Sequence, residues 1–438
     1  MITRKKVGVI SLGCDKNRVD TEKMLALVSK RFTITQNEQQ SDILIINTCA
    51  FLKTAREEAI EEILLAEELK KSGKVEKIIV TGCLPQLYKE ELFKELEFVD
   101  AFLGVSDYQE ILNVIDKIYN GERVLNVCQP KNYNLKERVV TTNGYAYLKI
   151  ADGCSNHCTY CLIPAIRGKY RSIPIECLVE EAKSLGENKE LILVAQDVTA
   201  YGRDLQDGTS LVTLIKRLSA LDNVKGIRLL YCYPEGITEE LIHELAVNPK
   251  MIRYLDVPMQ HASDKILKLM ARRGKGEEYL NLIKTLKERV KGIAIRSTFI
   301  TGFPGETEED FNLLINFIRE AKLTSAGFFK YSKEEGTPSF KLGGHLKENV
   351  KNSRLKKLYT AQKRISLEHN KTLVGKTFSV YCEGFDENML TYFGRAYFSA
   401  PEIDGKIYFF SSEEITAGQT VNVKIIKAES YDLFGEKV

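Results

Sequence analysis

Short apolar runs alternate with amphipathic stretches through the first 125 residues. Lys6–Ser11 (KVGVIS), Ile43–Ile46 (ILII) and Lys77–Val80 (KIIV) read as buried strands, and Arg18–Lys30, Thr54–Lys71 and Gln86–Glu97 carry apolar residues at helical spacing. This alternation predicts an α/β domain with a doubly wound parallel sheet. Over 126–144 the pattern breaks into polar sequence, which reads as a linker. From there it resumes with six strands: Tyr147–Ile150, Leu191–Ala195, Ile227–Tyr231, Tyr254–Val257, Ile293–Ile300 and Ala326–Tyr331. Each gap between them can hold a helix. Six βα units fall two short of a closed eight-unit barrel, so a partial (β/α)6 barrel is expected. A charged amphipathic helix over Lys347–Asn370 closes this unit. The remaining segments FSVYCEG, GRAYFSAP, KIYFFSS and TVNVKIIKA are short alternating strands between turn signals. They predict a small all-β barrel of the oligonucleotide-fold type. The expected organisation is a front domain over 1–125, a core over 140–370 and a tail over 371–438.

The length of 438 residues agrees with three domains at about 150 residues each. With 44% hydrophobic and 28% charged residues, the chain is ordinary globular material. Sixty-three Lys+Arg against sixty Asp+Glu leave a net charge of +3, too little for a protein that grips long nucleic acid, so no DNA partner is expected. No apolar run is long enough for a membrane span. The opening MITRKKVGVISLGC has too short an apolar stretch for a secretion signal, and Ser-Leu-Gly-Cys fits a lipoprotein cleavage site poorly. It reads as the first strand of a cytoplasmic protein. Charge is unevenly spread. Residues 371–438 hold seven Lys+Arg and ten Asp+Glu, a balance of −3, which leaves +6 on the rest. An acidic barrel repels phosphates and suits a basic protein partner.

Ten cysteines raise the question of metal chemistry. In a cytoplasmic chain, clustered thiols point to metals or catalysis rather than disulfides. Cys154, Cys158 and Cys161 lie in a C-x3-C-x2-C segment just after the first core strand. Three thiolates this close can hold three corners of an iron–sulfur cube and leave the fourth iron open, whereas structural zinc needs a fourth ligand. His157, wedged between cysteines, is poorly placed for that role. Cys14, Cys49 and Cys83 are far apart in sequence, but each directly follows a strand of the front domain. In a parallel sheet all three project from one edge, the edge where open α/β sheets bind ligands. A three-cysteine iron–sulfur cluster and a thiol-only zinc site both fit there. Cys128, Cys177, Cys232 and Cys382 show no ligand spacing and read as packing residues.

The C-x3-C-x2-C segment on a partial barrel resembles the radical S-adenosylmethionine enzymes. Along nearly its whole length the chain resembles the methylthiotransferases of that group. The matching text includes SLGCDKNRVDTE, INTCAF, TGCLPQ, DGCSNHCTYCLIPAIRGKYRS, LVAQDVTAYG, YLDVPMQH, FITGFPGETEEDF, FKYSKEEGT and GRAYFSAPEIDG. It is similar to the branch that modifies small-subunit ribosomal protein twelve. The sister branch modifies adenosine in tRNA. The resemblance implies two 4Fe–4S clusters, S-adenosylmethionine, and a C-terminal TRAM domain that binds substrate. It also implies transfer of S–CH3 to the β-carbon of an aspartate of that ribosomal protein, an electron donor such as a flavodoxin, and a source of sulfur. Asp15, Arg18 and Ser399 depart from the family pattern, which has Pro, Leu and Asp there. An electron carrier or scaffold is a third reading, but carriers favour fully ligated clusters.

Weaker cofactor contacts are also expected. Gln196 and Asp197 end the second core strand, and Gln260 and His261 the fourth, at ligand-facing positions of a parallel barrel. The resemblance implies that the loop with Gly302, Gly305 and Glu306 approaches the cofactor. Arg296 is a charge within the apolar strand IAIRSTFI and needs a partner, either the cofactor carboxylate or a structural aspartate.

Overall fold

The computed structural model describes residues 4–131, 137–187 and 189–438. The front sheet has six strands: β1 (Lys6–Ser11), β2 (Thr33–Thr35), β3 (Ile43–Thr48), β4 (Lys77–Gly82), β5 (Ala101–Leu103) and β6 (Val124–Asn126). All pair in parallel, in the order β2-β1-β3-β4-β5-β6. The hydrophobic pattern located the three long strands. β2, β5 and β6 have three residues each, too few to show a period.

Strand β3 is buried along its whole length because helices cover both faces. Leu44 and Ile46 pack with Ala59, Ile63 and Ala66 of helix Lys53–Lys71. Ile43 and Ile45 pack on the opposite face with Met24 and Val28 of helix Asp15–Val28. That helix starts at Asp15 rather than at Arg18, immediately after Cys14. The helix expected over 86–97 is two pieces, Cys83–Tyr88 and Glu90–Glu95, broken where Lys89 takes a φ of 39°.

The core holds β7 (Tyr145–Lys149), β8 (Ala151–Asp152), β9 (Arg171–Ser172), β10 (Lys189–Val194), β11 (Val224–Leu229), β12 (Met251–Asp256), β13 (Ala294–Thr301) and β14 (Ser325–Lys330). Six of them form a parallel sheet in chain order, β7-β10-β11-β12-β13-β14, with β7 and β14 at its edges. The expected partial barrel is therefore present. The antiparallel pair β8 and β9 is an addition that brackets the three-cysteine loop. Helix Glu348–Lys371 packs along β14, where Tyr359 donates to the Phe328 carbonyl at 3.0 Å and Gln362 donates to the Leu323 carbonyl at 3.0 Å.

The tail is a closed five-stranded barrel of β15 (Thr377–Asp386), β16 (Thr391–Arg395), β17 (Ile407–Phe410), β18 (Thr420–Ala428) and β19 (Leu433–Lys437), in the order β15-β16-β17-β19-β18. The pattern showed four of these strands. GRAYFSAP leaves the sheet after Arg395, and LFGEK, interrupted by Gly435, supplies the fifth.

The expected linker is partly built into the molecule. Its residues 132–136 lie outside the described residues, but Val139 donates to the Glu22 carbonyl at 3.1 Å and Arg138 is buried between Glu22 and Glu181. Among the described residues no helix is long and apolar enough to cross a membrane.

Candidate functional site

In the front sheet β1, β3 and β4 are neighbours, and their C-terminal ends deliver Cys14, Cys49 and Cys83 side by side. The strand order reverses between β1 and β3, so Cys14 and Cys49 flank the switch point where such sheets hold ligands. Two glycines make this approach possible. Gly13 has a φ of +90°, and a Cβ there would sit 2.8 Å from the Cys49 Cβ. Gly82 has a φ of +98°, and a Cβ there would meet Asn47 Oδ1 at 2.4 Å. Side chains at either position would push the loops apart.

In the core, Cys154, Cys158 and Cys161 sit on a loop pinned from several sides. The Cys154 amide donates to the Gly168 carbonyl at 3.0 Å and the Thr159 amide to the Met270 carbonyl at 3.1 Å. Asn156 donates to Asp197 at 2.9 Å. The Cys154 sulfur accepts from the Asn156 amide, and the Cys161 sulfur from the Ile163 amide, each at 3.4 Å. Cys158 Sγ lies 3.1 Å from the Tyr233 hydroxyl. Donors aimed at sulfur stabilise thiolates in an iron–sulfur site and tune its potential.

Both triads line one cavity of about 620 Å³ between the front domain and the core. Its wall is otherwise largely apolar and aromatic, with Phe51, Leu52, Tyr160, Tyr231 and Phe329. Burial pushes the Cys83 thiol up to about 12 against the pull of Arg167, Cys161 up to about 12 and Cys154 up to about 11. Thiols held protonated in this way must give up protons when they take metal. Among the described residues no three His, Cys, Asp or Glu side chains converge closely enough to hold a single ion. The donor set, three thiols from each domain around one cavity, fits an iron–sulfur group.

The two cations on the cavity wall have different surroundings. Arg167 is fully committed to a buried network that joins the domains. It lies 3.0 Å from Asp152, 3.3 Å from Asp20 and 3.7 Å from Cys83 Sγ, and donates to Asn17 at 2.6 Å. Lys149 contacts the same Asp20 and Asp152. Burial alone would raise the Asp152 carboxyl, but Arg167 and Lys149 hold it well below the ordinary carboxylate range. Lys16 stands outside that network: its Nζ is 3.0 Å from the buried Asp15 carboxylate and 3.3 Å from the centre of the Tyr231 ring. Asp15 Oδ2 is buried with no hydrogen-bond partner.

Of the residues expected to meet the cofactor, Gln196 and Gln260 line the cavity. Gln196 donates to Asp152 at 3.3 Å and keeps a buried Oε1 without a partner. The other four do not line this cavity and have protein partners of their own. Arg296 pairs with Asp256 at 2.7 Å and with Asp404 of the tail at 3.7 Å, so its partners are structural aspartates. Glu306 is buried against Arg354 at 2.6 Å and accepts from the Gly302 amide at 2.7 Å. The Gly302 position faces Lys351, and the Gly305 amide bonds the Gly344 carbonyl. His261 is buried 3.6 Å from Glu306, and Asp197 serves the cysteine loop through Asn156. Cys177 is half-buried, and Cys232 and Cys382 are buried, but Cys128 is exposed, so packing does not describe it.

Sequence reasoning missed Lys16, Arg167, Tyr231 and Tyr233. Lys16 and Arg167 lie two and six positions beyond cysteines of the two triads, but only the fold turns them into one cavity.

Three family models match the chain: the uncharacterized protein family UPF0004 over residues 6–104, the Radical SAM superfamily over 148–318 and the TRAM domain over 374–438. Among curated proteins, the ribosomal protein uS12 methylthiotransferase RimO of Acetivibrio thermocellus is 46% identical, covering 99% of both chains. The protein of the same name from Lachnoclostridium phytofermentans is 47% identical over 98% of this chain and 99% of its own. Among solved structures, the radical S-adenosylmethionine methyltransferase TsrM from Kitasatospora setae is similar with a TM-score of 0.57. It is 15% identical, with 86% of this chain and 81% of that one covered, a likeness of fold. A catalytic-type triad on a partial barrel, a second triad facing it and relatives matching end to end lead to one assignment: the chain belongs to the RimO family of radical S-adenosylmethionine methylthiotransferases.

Proposed function

We propose that this protein replaces a hydrogen on the β-carbon of an aspartate of small-subunit ribosomal protein uS12 with S–CH3. The observation that carries this reading is the shared cavity, in which thiols of two separate domains face one volume. Cys154, Cys158 and Cys161 would hold one 4Fe–4S cluster, and Cys14, Cys49 and Cys83 a second. When bound, these clusters and S-adenosylmethionine supply one-electron chemistry able to attack an inert C–H bond, together with a site for sulfur. The chain's own residues bind, orient and shield. Gln196 Oε1 offers a free acceptor to the bound cofactor. Tyr160, Tyr231 and Phe329 keep water from the reacting centre. Lys16 is the cavity cation outside the Arg167 network, and it would hold the substrate carboxylate by a charge-assisted hydrogen bond.

The tRNA reading is not favoured. The tail barrel's balance of −3 opposes the phosphate contacts that a tRNA grip needs. The named relatives also act on uS12. A low-potential electron donor, such as a flavodoxin, and a sulfur source complete the reaction, in the cytoplasm where the ribosome is. The test is anaerobic reconstitution followed by parallel reactions with uS12 and with tRNA. A methylthio group on the aspartate in the mass spectrum of uS12 is the expected result. An unmodified uS12 with a methylthiolated nucleoside in tRNA would overturn the proposal.

A further inference from the structure

The front domain carries a second concavity. Helix Lys53–Lys71 and the short helices Cys83–Tyr88 and Glu90–Glu95 border an open groove of about 1140 Å³. Its floor is apolar, with Ile60, Leu84 and Leu92, and two leucines stay open to solvent: Leu64 is 45% exposed and Leu65 55%. Its walls carry seven glutamates against Lys53, Arg56 and Lys333. Two of those cations are already paired, Arg56 with Glu334 at 2.7 Å and Lys53 with Glu57 at 3.5 Å. Exposed Glu61, Glu91 and Glu95 have no ion-pair partner among the described residues. Lys71 pairs with Glu67 and Glu68, so the rim is neutralised in part. An apolar floor beside the remaining glutamates marks an interaction surface for a cationic, amphipathic segment.

The groove and the cysteine cavity are lined by neighbouring residues of the same segments. Leu52 and Ala55 line the cavity, whereas Lys53, Arg56 and Glu57 on the same turn line the groove. On the opposite wall Phe329 lines the cavity, and Lys333 and Glu335, a few residues on, line the groove. A macromolecule that inserts one side chain into the cavity must lay its flanking chain across adjoining surface.

We propose that this groove docks a basic segment of the ribosomal-protein substrate, an inference that rests on the function proposed above. A protein that lives on ribosomal RNA needs surplus Lys and Arg to meet phosphates, and those side chains complement the glutamate rim. RNA itself would be repelled there.

The test uses the reconstituted full-length enzyme and a triple charge reversal, Glu61→Lys, Glu91→Lys and Glu95→Lys. These side chains lie on the surface, away from the cysteines. Fluorescence anisotropy with labelled uS12 should show the dissociation constant rise at least ten-fold, with a weaker dependence on salt. The KM for uS12 should rise in parallel, while kcat and iron content stay unchanged. Unchanged affinity and KM in the variant would overturn the proposal. So would sedimentation showing that the unmodified enzyme is a dimer that the variant dissolves, because the groove would then hold a second copy of this chain. If the unmodified enzyme binds uS12 through the groove but never adds a methylthio group, the docking proposal stands and the functional one falls.

Discussion

Lys16 and Arg167 face the same cavity, and their partners give them different work. Arg167 is saturated by Asp20, Asp152 and Asn17, whereas Lys16 rests on Asp15 and the Tyr231 ring. On the function proposed above, a carboxylate entering the cavity would compete with Asp15 for Lys16. Hydrogen bonds to charged groups contribute about 1.5–3 kcal/mol. Lys16→Met should accordingly raise KM for uS12 by roughly ten- to a hundred-fold at unchanged iron content, with Lys16→Arg restoring part of it. Equal KM values for all three proteins would remove Lys16 from substrate binding. The cysteines divide by triad. Replacing Cys154, Cys158 or Cys161 with Ala should abolish formation of 5′-deoxyadenosine. Replacing Cys14, Cys49 or Cys83 should preserve it while eliminating methylthio product and about half of the iron, as expected for two clusters of equal size. Chromatography of the nucleoside and iron analysis separate the two outcomes. The cysteines themselves were legible in sequence because spacing and strand ends expose them. Lys16 was not, because a lysine near a cysteine has no pattern of its own.

At the scale of elements, the ends of parallel strands do the positioning. Hydrophobic runs fix where β1, β3 and β4 stop, and the residues just after each stop become neighbours once the strands pair. This is why three cysteines separated by dozens of residues could be assigned together from sequence. Helix Asp15–Val28 then carries Asn17 and Asp20 to Arg167 and Lys149 across the domain boundary. Removing one partner of a buried charge network typically costs about 3–5 kcal/mol, because the remaining charges are left without compensation. Arg167→Leu should destabilise the cluster-free protein by about that amount in urea denaturation. A loss below about 1 kcal/mol would show that Lys149 alone neutralises the two aspartates. The loop with Gly302 and Glu306 is positioned from further away: Arg354, far along the chain on helix Glu348–Lys371, pairs with the Glu306 carboxylate.

At the scale of the whole molecule, the acidic barrel is fastened to the core by buried ion pairs. Arg395 of the barrel and Arg228 of the core both contact Glu190, each at 2.6 Å. Burial would raise the Glu190 carboxyl, but the two guanidiniums outweigh it and bring it down to about 2, from an ordinary value of 4.5. A carboxyl depressed on folding stabilises the folded state above its unfolded value and loses that effect as pH falls through the folded one. The stability gap between cluster-free wild type and Glu190→Gln should therefore be constant above pH 4.5 and shrink as pH falls towards 2. At neutral pH the depression corresponds to roughly 3 kcal/mol. A gap independent of pH across that window would mean that Glu190 does not hold the seam as a carboxylate. Arg296 also belongs to this fastening: its pairing with Asp256 and Asp404 joins core to barrel.

The amino-acid sequence by itself determined the three kinds of architecture, the six candidate ligand cysteines and the uneven charge. These follow from local period, local spacing and composition, which need no knowledge of distant contacts. The tertiary structure decided that both triads open into one cavity, that Arg167 belongs to an interdomain network while Lys16 pairs with Asp15, and that Arg296 and Glu306 form ion pairs with Asp256 and Arg354. It also decided the acidic, apolar groove beside that cavity. Each of these depends on which side chains from separate elements meet. That is set by the packing of whole sheets and domains, and short-range pattern carries no record of it.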